Sequence, residues 1–430
     1  MSQDNSKKIL IVNANIFDGR DGEIIKKGAV KVEGERITEV GKEEEIPKED
    51  VDVTIDANGK YLMPGLIDNH VHIFNAGYCP REAYGEPLTY AGIIALNNLR
   101  SALQSGITTV RDVASGHVNI ALKTAIEREL AVGPRCFVAG KGICMTGGHG
   151  HSDNQFGVGA NEVDGIDEIL TAIREDKKAG ADLIKILTSH RSDNPEFTQE
   201  ELDVAVKESH RFGMKVACHA GNYVTTKMAS IAGVDTIEHG IAIEKETADL
   251  MVENDVGLVP TLWVLNDIRK DTEERKNKYQ RIGEYVLHEE LMEETISTYD
   301  IILDRLPETM KNVLEKDIKI GAGTDNVRWN TPFAMLHEEI RYLTEYGLSN
   351  KEALQSATKT GAELLGEAEN LGTIEPGKFA DMIMVKENPL EDIKVLGEVD
   401  WVMKGGKVIP KHPEWNRKPI IESQVDELGP

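Results

Sequence analysis

The sequence predicts an α/β fold, a (β/α)8 TIM-type barrel with a small β-sandwich domain built from both chain ends. Three observations predict it: short β-rich runs near both ends, strand-like runs alternating with helical stretches between them, and polar residues where several of those central runs end. A length of 430 residues suits a barrel with an appended domain. The predicted parts are 1–63 and 374–430 for the β-sandwich and its tail, and 64–373 for a metal-binding barrel.

The two ends of the chain share one sequence texture. Short runs rich in β-branched residues lie at 9–12, 28–32 and 37–41, separated by Gly and Asp, and they predict small antiparallel strands. Similar runs return at 380–385 and 402–409, after a long middle of different character. We therefore predict that both ends pair into one small β-domain.

The central region alternates between strand-like and helical segments. Its strand-like runs lie at 106–112, 181–187, 215–219, 236–239, 257–261 and 318–325. This alternation predicts a parallel sheet with crossover helices, and the lack of a G-x-G-x-x-G motif after the first strand favours a closed barrel over a nucleotide-binding doubly wound sheet. A charged stretch at 267–317 predicts a helical insertion that is an active-site lid, a solvated helical hairpin or an oligomer contact.

The composition excludes two classes of partner. A formal net charge of −25 repels phosphate backbones and anionic membrane surfaces, so we expect neither nucleic acid nor a membrane to be bound. No apolar run is long enough to span a bilayer, and no signal-peptide core follows the first residues. We expect a cytoplasmic protein that acts on a small molecule.

The strongest local motif is a strand that ends in two histidines, His70 and His72, one residue apart. Alternation along a strand places both imidazoles on one face. In a barrel, that face points inward, and the carboxyl end of the strand is where barrel enzymes build their sites. One such pair is weak evidence alone, because histidines with satisfied hydrogen bonds are common in protein cores.

Later strand-like runs also end in metal-ligating or titratable residues. Lys185, His219, His239 and Asp325 each follow an apolar run. Imidazole nitrogens and carboxylate oxygens are ligands for Zn²⁺ and related divalent ions. Because the carboxyl ends of parallel strands meet on one side of a barrel, these residues predict a metal site.

Together these motifs resemble the amidohydrolase superfamily, specifically its prolidase-like (Xaa-Pro dipeptidase-like) and imidazolonepropionase-like cytosolic members. The resemblance covers nearly the whole chain and includes the His-x-His strand, the loop Gly147-Gly148-His149, the strand ends Ile-Glu-His-Gly and Gly-Thr-Asp, and the run at 372–381. It implies two divalent metal ions, with zinc as the expected metal. Relatives commonly assemble, so a homo-oligomer is expected.

The resemblance implies a ligand set and a modified lysine. The six implied metal ligands are His70, His72, Lys185, His219, His239 and Asp325. His70, His72 and Asp325 would hold one ion and the two later histidines the other, with Lys185 bridging as a carbamate formed with CO₂. Burial disfavours an ammonium, and the neutral amine can add CO₂; the alternative for this lysine is an ion pair within the barrel.

The same resemblance implies the chemistry. A hydroxide shared by the two metals would attack an amide carbonyl, and Asp325 would take its proton and pass it to the departing nitrogen. His149 would act as a catalytic and substrate-binding residue near the scissile group. Tyr223 would meet the substrate carboxylate or, equally, pack as a loop aromatic. Arg111 with Asp112 predicts a barrel ion pair, and Arg328 is placed to meet an anionic substrate group.

Four functions are compatible with these residues to different degrees. The first is hydrolysis of a dipeptide or an N-acyl amino acid at its amide C–N bond. A cyclic-amide hydrolase like imidazolonepropionase is expected to hold one metal without a bridging lysine, which Lys185 argues against. A deaminase is expected to carry Glu after His219, where Ala220 stands here. A non-catalytic barrel would lack ligands, yet every ligand position is filled.

Overall fold

The structure is a computed structural model that describes residues 7–20, 23–74, 88–151, 160–189, 194–282, 289–326, 332–413 and 415. Its strands are β1 (Lys8–Phe17), β2 (Ile24–Glu33), β3 (Arg36–Lys42), β4 (Val53–Asp56), β5 (Tyr61–Pro64), β6 (Leu66–Val71), β7 (Ile107–Asp112), β8 (Arg135–Val138), β9 (Gly142–Cys144), β10 (Ala160–Glu162), β11 (Leu183–Leu187), β12 (Lys215–Ala220), β13 (Thr236–His239), β14 (Gly257–Val259), β15 (Met382–Val385), β16 (Trp401–Lys404) and β17 (Lys407–Val408). Arg328 lies outside the described residues.

The α-helices of the described ranges are Leu88–Gln104, Val118–Glu127, Ile166–Ala179, Gln199–Arg211, Tyr223–Ala232, Lys245–Glu253, Leu262–Ile282, Glu289–Leu314, Leu336–Glu345, Asn350–Ser356 and Lys359–Leu365. Short 3₁₀ helices lie at Glu43–Glu45 and Ile393–Gly397. None of the helices that the structure describes is both long enough and apolar enough to cross a membrane.

Strands from both chain ends form one mixed sheet. Its order is β17-β16-β15-β5-β1-β2-β3, with β4 paired to β1, and the two ends meet where β5 pairs with β15. This confirms that both ends build one β-domain, while its sandwich form stays a prediction. The predicted antiparallel pairing is confirmed for β1, β2 and β3, whereas β4 and β5 of the same N-terminal stretch run parallel to β1. The segment at 43–52 carries the chain back across the sheet, so β4 returns in the direction of β1.

The central strands are parallel, as their alternation with helices predicts. They form a three-stranded sheet, β6-β7-β8, and a six-stranded sheet, β10-β9-β11-β12-β13-β14. The apolar faces of these strands and of the surrounding helices share one large core, which includes Ile107, Ile184, Val216 and Leu258. Within each of these two sheets the parallel strands end on one side, and the contact of His70 in β6 with Glu238 in β13 brings residues of the two sheets together at the candidate site.

The last predicted strand, at 318–325, is only partly regular. It contributes one isolated parallel bridge, between Ile320 and Leu258, rather than a continuous strand. Backbone hydrogen bonds nevertheless join this segment to β6 on its other side, from the Asn69 amide to the Ala322 carbonyl at 2.9 Å. Gly323 explains the close approach, because a Cβ atom there would lie 2.7 Å from the Cβ of His70.

The predicted helical insertion at 267–317 is confirmed as two long helices, Leu262–Ile282 and Glu289–Leu314. Ion pairs connect them, with Arg269 Nε 2.8 Å from Asp300 Oδ1 and Lys276 Nζ 2.6 Å from Glu293 Oε1. The two helices therefore pack as a pair. Their role as a lid stays a hypothesis.

Candidate metal centre and active site

The His-x-His motif ends β6 beside the segment that carries Asp325. His70 is the fifth residue of β6, and His72 follows its last residue. The amide of Asp325 donates to the carbonyl oxygen of His70 at 2.8 Å, which fixes the aspartate against the strand end. One ligand atom from each of His70, His72 and Asp325 lies within 4.8 Å of the other two. The structure thus brings the first predicted ligand set together.

The two imidazoles direct their Nε2 atoms towards one carboxylate oxygen. His70 Nε2 lies 3.5 Å and His72 Nε2 lies 3.4 Å from Asp325 Oδ1. The Nδ1 atoms are occupied elsewhere: that of His72 donates to the Ala114 carbonyl at 3.1 Å, and that of His70 to Glu238 at 2.6 Å. Because a carbonyl or carboxylate oxygen only accepts, a ring in its neutral form has an unprotonated Nε2 that faces another acceptor. Burial lowers the pKa of His70 to about 3, whereas at His72 burial is outweighed by the hydrogen bond with Asp325, which raises the pKa. A cation bound between them resolves this contact.

Glu238 is a functional residue that the sequence analysis missed. Its buried carboxylate accepts from His70 Nδ1, from Arg111 at 2.7 Å and from Thr236 Oγ1 at 2.5 Å. Burial raises the pKa of this carboxyl, but the Arg111 guanidinium outweighs burial and holds the pKa well below its usual range. Arg111 therefore forms an ion pair within the barrel region, as predicted, but its partner is Glu238 and not the predicted Asp112. The carboxylate fixes the tautomer and orientation of His70.

Replacing Glu238 with glutamine is expected to weaken metal binding. A glutamine amide that turns its NH₂ group towards His70 Nδ1 would favour the tautomer with the proton on Nε2. Residues that hydrogen-bond to a metal-ligating histidine typically contribute about 10-fold to 100-fold in metal affinity. Competition of the purified variant with a chromogenic zinc chelator measures the change, with exposed Glu200→Gln as control. Wild-type affinity in Glu238→Gln would contradict the orienting role.

The second group of histidines lies beside the first. The ring centroids of His239 and His70 are 5.0 Å apart, and those of His219 and His239 are 4.7 Å apart. His239 Nδ1 lies 2.7 Å from the Thr261 hydroxyl. Burial, chiefly, lowers the pKa of His239 to about 4 and that of His219 well below its ordinary value. Both rings are therefore neutral at physiological pH, which is the form that binds a metal.

Lys185 is fully buried in β11, where a charged ammonium is costly. Its Nζ atom has no hydrogen-bond partner among the described residues. Burial lowers the pKa of this lysine, against the opposing attraction of Glu238 and Asp325. The predicted alternative, an ion pair of its own within the barrel, is not found in the described part of the chain. A buried, unpartnered amine is the group expected to add CO₂.

Three residues at the ends of neighbouring strand segments have left-handed backbone conformations. The φ angles are 68° at His239, 50° at Thr261 and 44° at Asp325. Residues other than glycine rarely adopt this region, and such strain concentrates at functional sites. In β13, alternation alone would place Glu238 and His239 on opposite faces. The turn of the backbone at His239 therefore lets two adjacent residues serve the same site.

Of the two residues predicted to contact substrate, His149 lies on a loop and Tyr223 at the start of a helix. The His149 ring stacks on that of His219, with centroids 4.2 Å apart and planes inclined by 23°. Tyr223 begins the helix Tyr223–Ala232, which Asn222 caps, and its side chain is 49% exposed. An exposed tyrosine is free to meet a ligand rather than being packed in the core. His151 Nδ1 lies 2.9 Å from Oε1 of Glu162, the last residue of β10, which gives it a structural partner.

The donor set fits the metal centre that the resemblance implies. Imidazoles, one carboxylate and a buried amine supply nitrogen and oxygen ligands of the kind that Zn²⁺ takes. A bound cation would satisfy the Nε2 atoms that face Asp325. A carbamate would satisfy the Lys185 amine, which has no hydrogen-bond partner among the described residues. The chemistry that this arrangement supports is hydrolysis at a polarised carbonyl.

Comparisons with known proteins agree with this chemistry. Residues 61–409 match the model of the amidohydrolase family. Ochratoxinase from Aspergillus niger is 28% identical over 445 residues, which cover 93% of this chain and 86% of the relative. A solved Xaa-Pro dipeptidase with methionine bound in its active site is 34% identical, has a TM-score of 0.81 and aligns over 94% of this chain and 100% of its own. A solved prolidase complexed with N-methylphosphonate-L-proline is 29% identical, has a TM-score of 0.83 and aligns over 94% and 100%. The chain therefore belongs to the amidohydrolase family.

Proposed function

We propose that the protein is a metal-dependent hydrolase that cleaves the amide C–N bond of a dipeptide of the Xaa-Pro type or of an N-acyl amino acid. The observation that carries this proposal is the pair of imidazole Nε2 atoms that face Asp325 Oδ1 at 3.4 and 3.5 Å beside a buried, unpartnered lysine. The similarity to a Xaa-Pro dipeptidase, a prolidase and ochratoxinase supports the choice of substrate.

Two divalent ions would be held by the strand-end residues. His70, His72 and Asp325 would bind one ion, His219 and His239 the second, and Lys185 would bridge both as a carbamate. When bound, the ions would polarise the scissile carbonyl and make a hydroxide nucleophile available near neutral pH. Zinc is the metal that this nitrogen-rich donor set favours.

The side chains of the site would transfer the proton and contact the substrate. Burial favours the protonated Asp325 carboxyl, but the neighbouring His70, His72 and His239 outweigh burial and hold its pKa well below its usual range, so the group is ionised. Asp325 would take the proton of the nucleophile and pass it to the departing nitrogen. His149 would contact the substrate near the scissile group, and Tyr223 its carboxylate.

The same proposal requires that the two parallel sheets enclose one site. We infer that they close into an eight-stranded barrel, in which the segment at 318–325 takes the place of the last strand. Support comes from backbone hydrogen bonds at both joints: Asp182 N to Val138 O at 2.8 Å on one side, and Gly321 N to Leu258 O at 2.9 Å on the other.

Hydrolysis of a substrate panel tests the proposed function. Metal-reconstituted protein in bicarbonate buffer is offered Xaa-Pro dipeptides, dipeptides ending in Arg or Lys, and N-acyl amino acids, and released amino acid is measured. We expect selective turnover of one class that a chelator abolishes, because the ions are needed at the carbonyl. Turnover of cyclic amides alone would favour the imidazolonepropionase-like alternative, and absence of any metal-dependent amide hydrolysis would overturn the proposal.

A further inference from the structure

The loop Met145 to His151 that carries His149 is held by acidic side chains from outside it. Glu162 accepts a hydrogen bond from the Gly147 amide at 2.7 Å, and Asp164 accepts from the Thr146 hydroxyl at 2.6 Å. Both contacts lie at the start of the loop and are exposed. A third acid, Glu196, contacts the loop at His149 itself.

Glu196 Oε1 accepts a hydrogen bond from the backbone amide of His149 at 2.8 Å. The other carboxylate oxygen, Oε2, is buried and has no hydrogen-bond partner among the described residues, so the contact of Glu196 with the loop is made through Oε1 at His149. Glu196 is itself anchored, since its own amide donates to the Thr188 carbonyl at 2.8 Å. Thr188 directly follows β11, the strand that contains Lys185. One carboxylate therefore links the His149 loop to the strand that supplies the proposed bridging ligand.

Gly148 shows that the loop is shaped around this carboxylate. A Cβ atom at Gly148 would lie 2.2 Å from Glu196 Oε2, so the carboxylate would have to move away. Gly148 is not among the residues with positive φ, so its backbone conformation alone does not require glycine. The absence of a side chain at this position is instead what lets Glu196 reach the His149 amide.

The contact holds the backbone of His149 at the point where its ring lies beside His219. His149 is exposed, so core packing does not fix it, and its ring stacks on the buried His219 at a centroid distance of 4.2 Å. With the amide of His149 held by Glu196, the ring keeps its place next to a proposed metal ligand.

We propose that Glu196 is a positioning residue that holds His149 in its substrate-contacting place beside His219. The proposal rests on the proposed function only in the role of His149 towards substrate. Displacing a contact group by about 1 Å typically costs about 100-fold in rate. Glu196→Ala is therefore expected to lower kcat/KM by about 10-fold to 100-fold with unchanged metal content, whereas Glu196→Gln, whose amide oxygen still accepts from the His149 amide, keeps most activity.

A double-mutant cycle separates positioning from general damage. If Glu196 acts through His149, the double variant Glu196→Ala/His149→Ala loses no more activity than His149→Ala alone. Independent, additive losses would overturn the proposal, as would wild-type kinetics in Glu196→Ala or a loss in Glu196→Gln as large as in Glu196→Ala. Glu200→Ala, in the exposed first turn of the following helix, is the matched control and should behave as wild type.

Hydrogen exchange tests the same contact without any substrate. In metal-free protein, the peptide covering Met145 to His151 should exchange faster in Glu196→Ala than in wild type, because the His149 amide loses its acceptor, and should stay slow in Glu196→Gln and Glu200→Ala. Unchanged exchange in Glu196→Ala would overturn the proposal. If no panel substrate is hydrolysed, the proposed function fails, while this exchange measurement still decides whether Glu196 holds the loop.

Discussion

The variant Asp325→Asn is expected to lose turnover by a factor of about 10² to 10⁴ while keeping most of its bound metal, because an amide cannot take and return the proton. The asparagine side-chain oxygen can still ligate an ion. The backbone amide of residue 325 still donates to the His70 carbonyl. The measurement is kcat on the best panel substrate, alongside metal content by mass spectrometry.

The control for Asp325→Asn is the same exchange at an exposed site, Asp304→Asn, in the helix Glu289–Leu314. This control should retain wild-type kcat and metal content. Wild-type turnover in Asp325→Asn would contradict the role of the carboxylate as proton acceptor. Loss of both metals together with turnover would assign Asp325 to metal binding alone.

The second large effect is expected from Lys185→Met. Methionine fills a similar volume in the buried strand but cannot form a carbamate, so packing is kept and the bridging ligand is lost. Metal content should fall from two ions per chain to one or none. Because a polarising ion contributes several kcal/mol to the transition state, turnover should fall by about 10³-fold or more.

A rescue experiment distinguishes ligand loss from misfolding at Lys185. Lys185→Ala leaves a buried space beside the histidines, and acetate or propionate at high concentration can enter it and supply the missing carboxylate oxygens. Partial return of turnover with these acids, and none with an uncharged amide of the same size, is expected. Full activity of Lys185→Met without any addition would contradict the carbamate.

Much of the fold follows from hydrophobic pattern. The runs at 107–112, 183–187, 215–220 and 236–239 are buried strands in the structure, as their apolar character and spacing predict. The family resemblance is confirmed by the match over residues 61–409. The hydrophobic pattern wrongly predicts a continuous strand at 318–325, where glycines allow the chain to pass close to β6 and only one β-bridge forms. It also does not give the direction of β4 and β5, because strand direction depends on how the intervening segment crosses the sheet.

The sequence predicts the site residues that end a strand. It does not reveal the residues that act by orienting another side chain. His70, His72 and Asp325 could be identified from their positions, and the structure places their ligand atoms within 4.8 Å of each other. Glu238 carried a signal, because it shares a strand face with Thr236 in a fully buried run, where an unpaired carboxylate would be costly. The contact of Glu196 with His149 joins residues 47 positions apart and has no local pattern that reveals it.

A metal titration in which turnover is measured at each step tests the proposed two-ion centre most directly. Metal-free protein is supplied with Zn²⁺ in increasing equivalents in bicarbonate buffer, and hydrolysis of the best Xaa-Pro or N-acyl amino acid substrate is measured at each step. We expect turnover to reach its plateau only when two ions per chain are bound, since His70, His72 and Asp325 would hold one and His219 and His239 the other. A plateau at one equivalent, or no dependence of amide hydrolysis on metal, would contradict the two-ion centre.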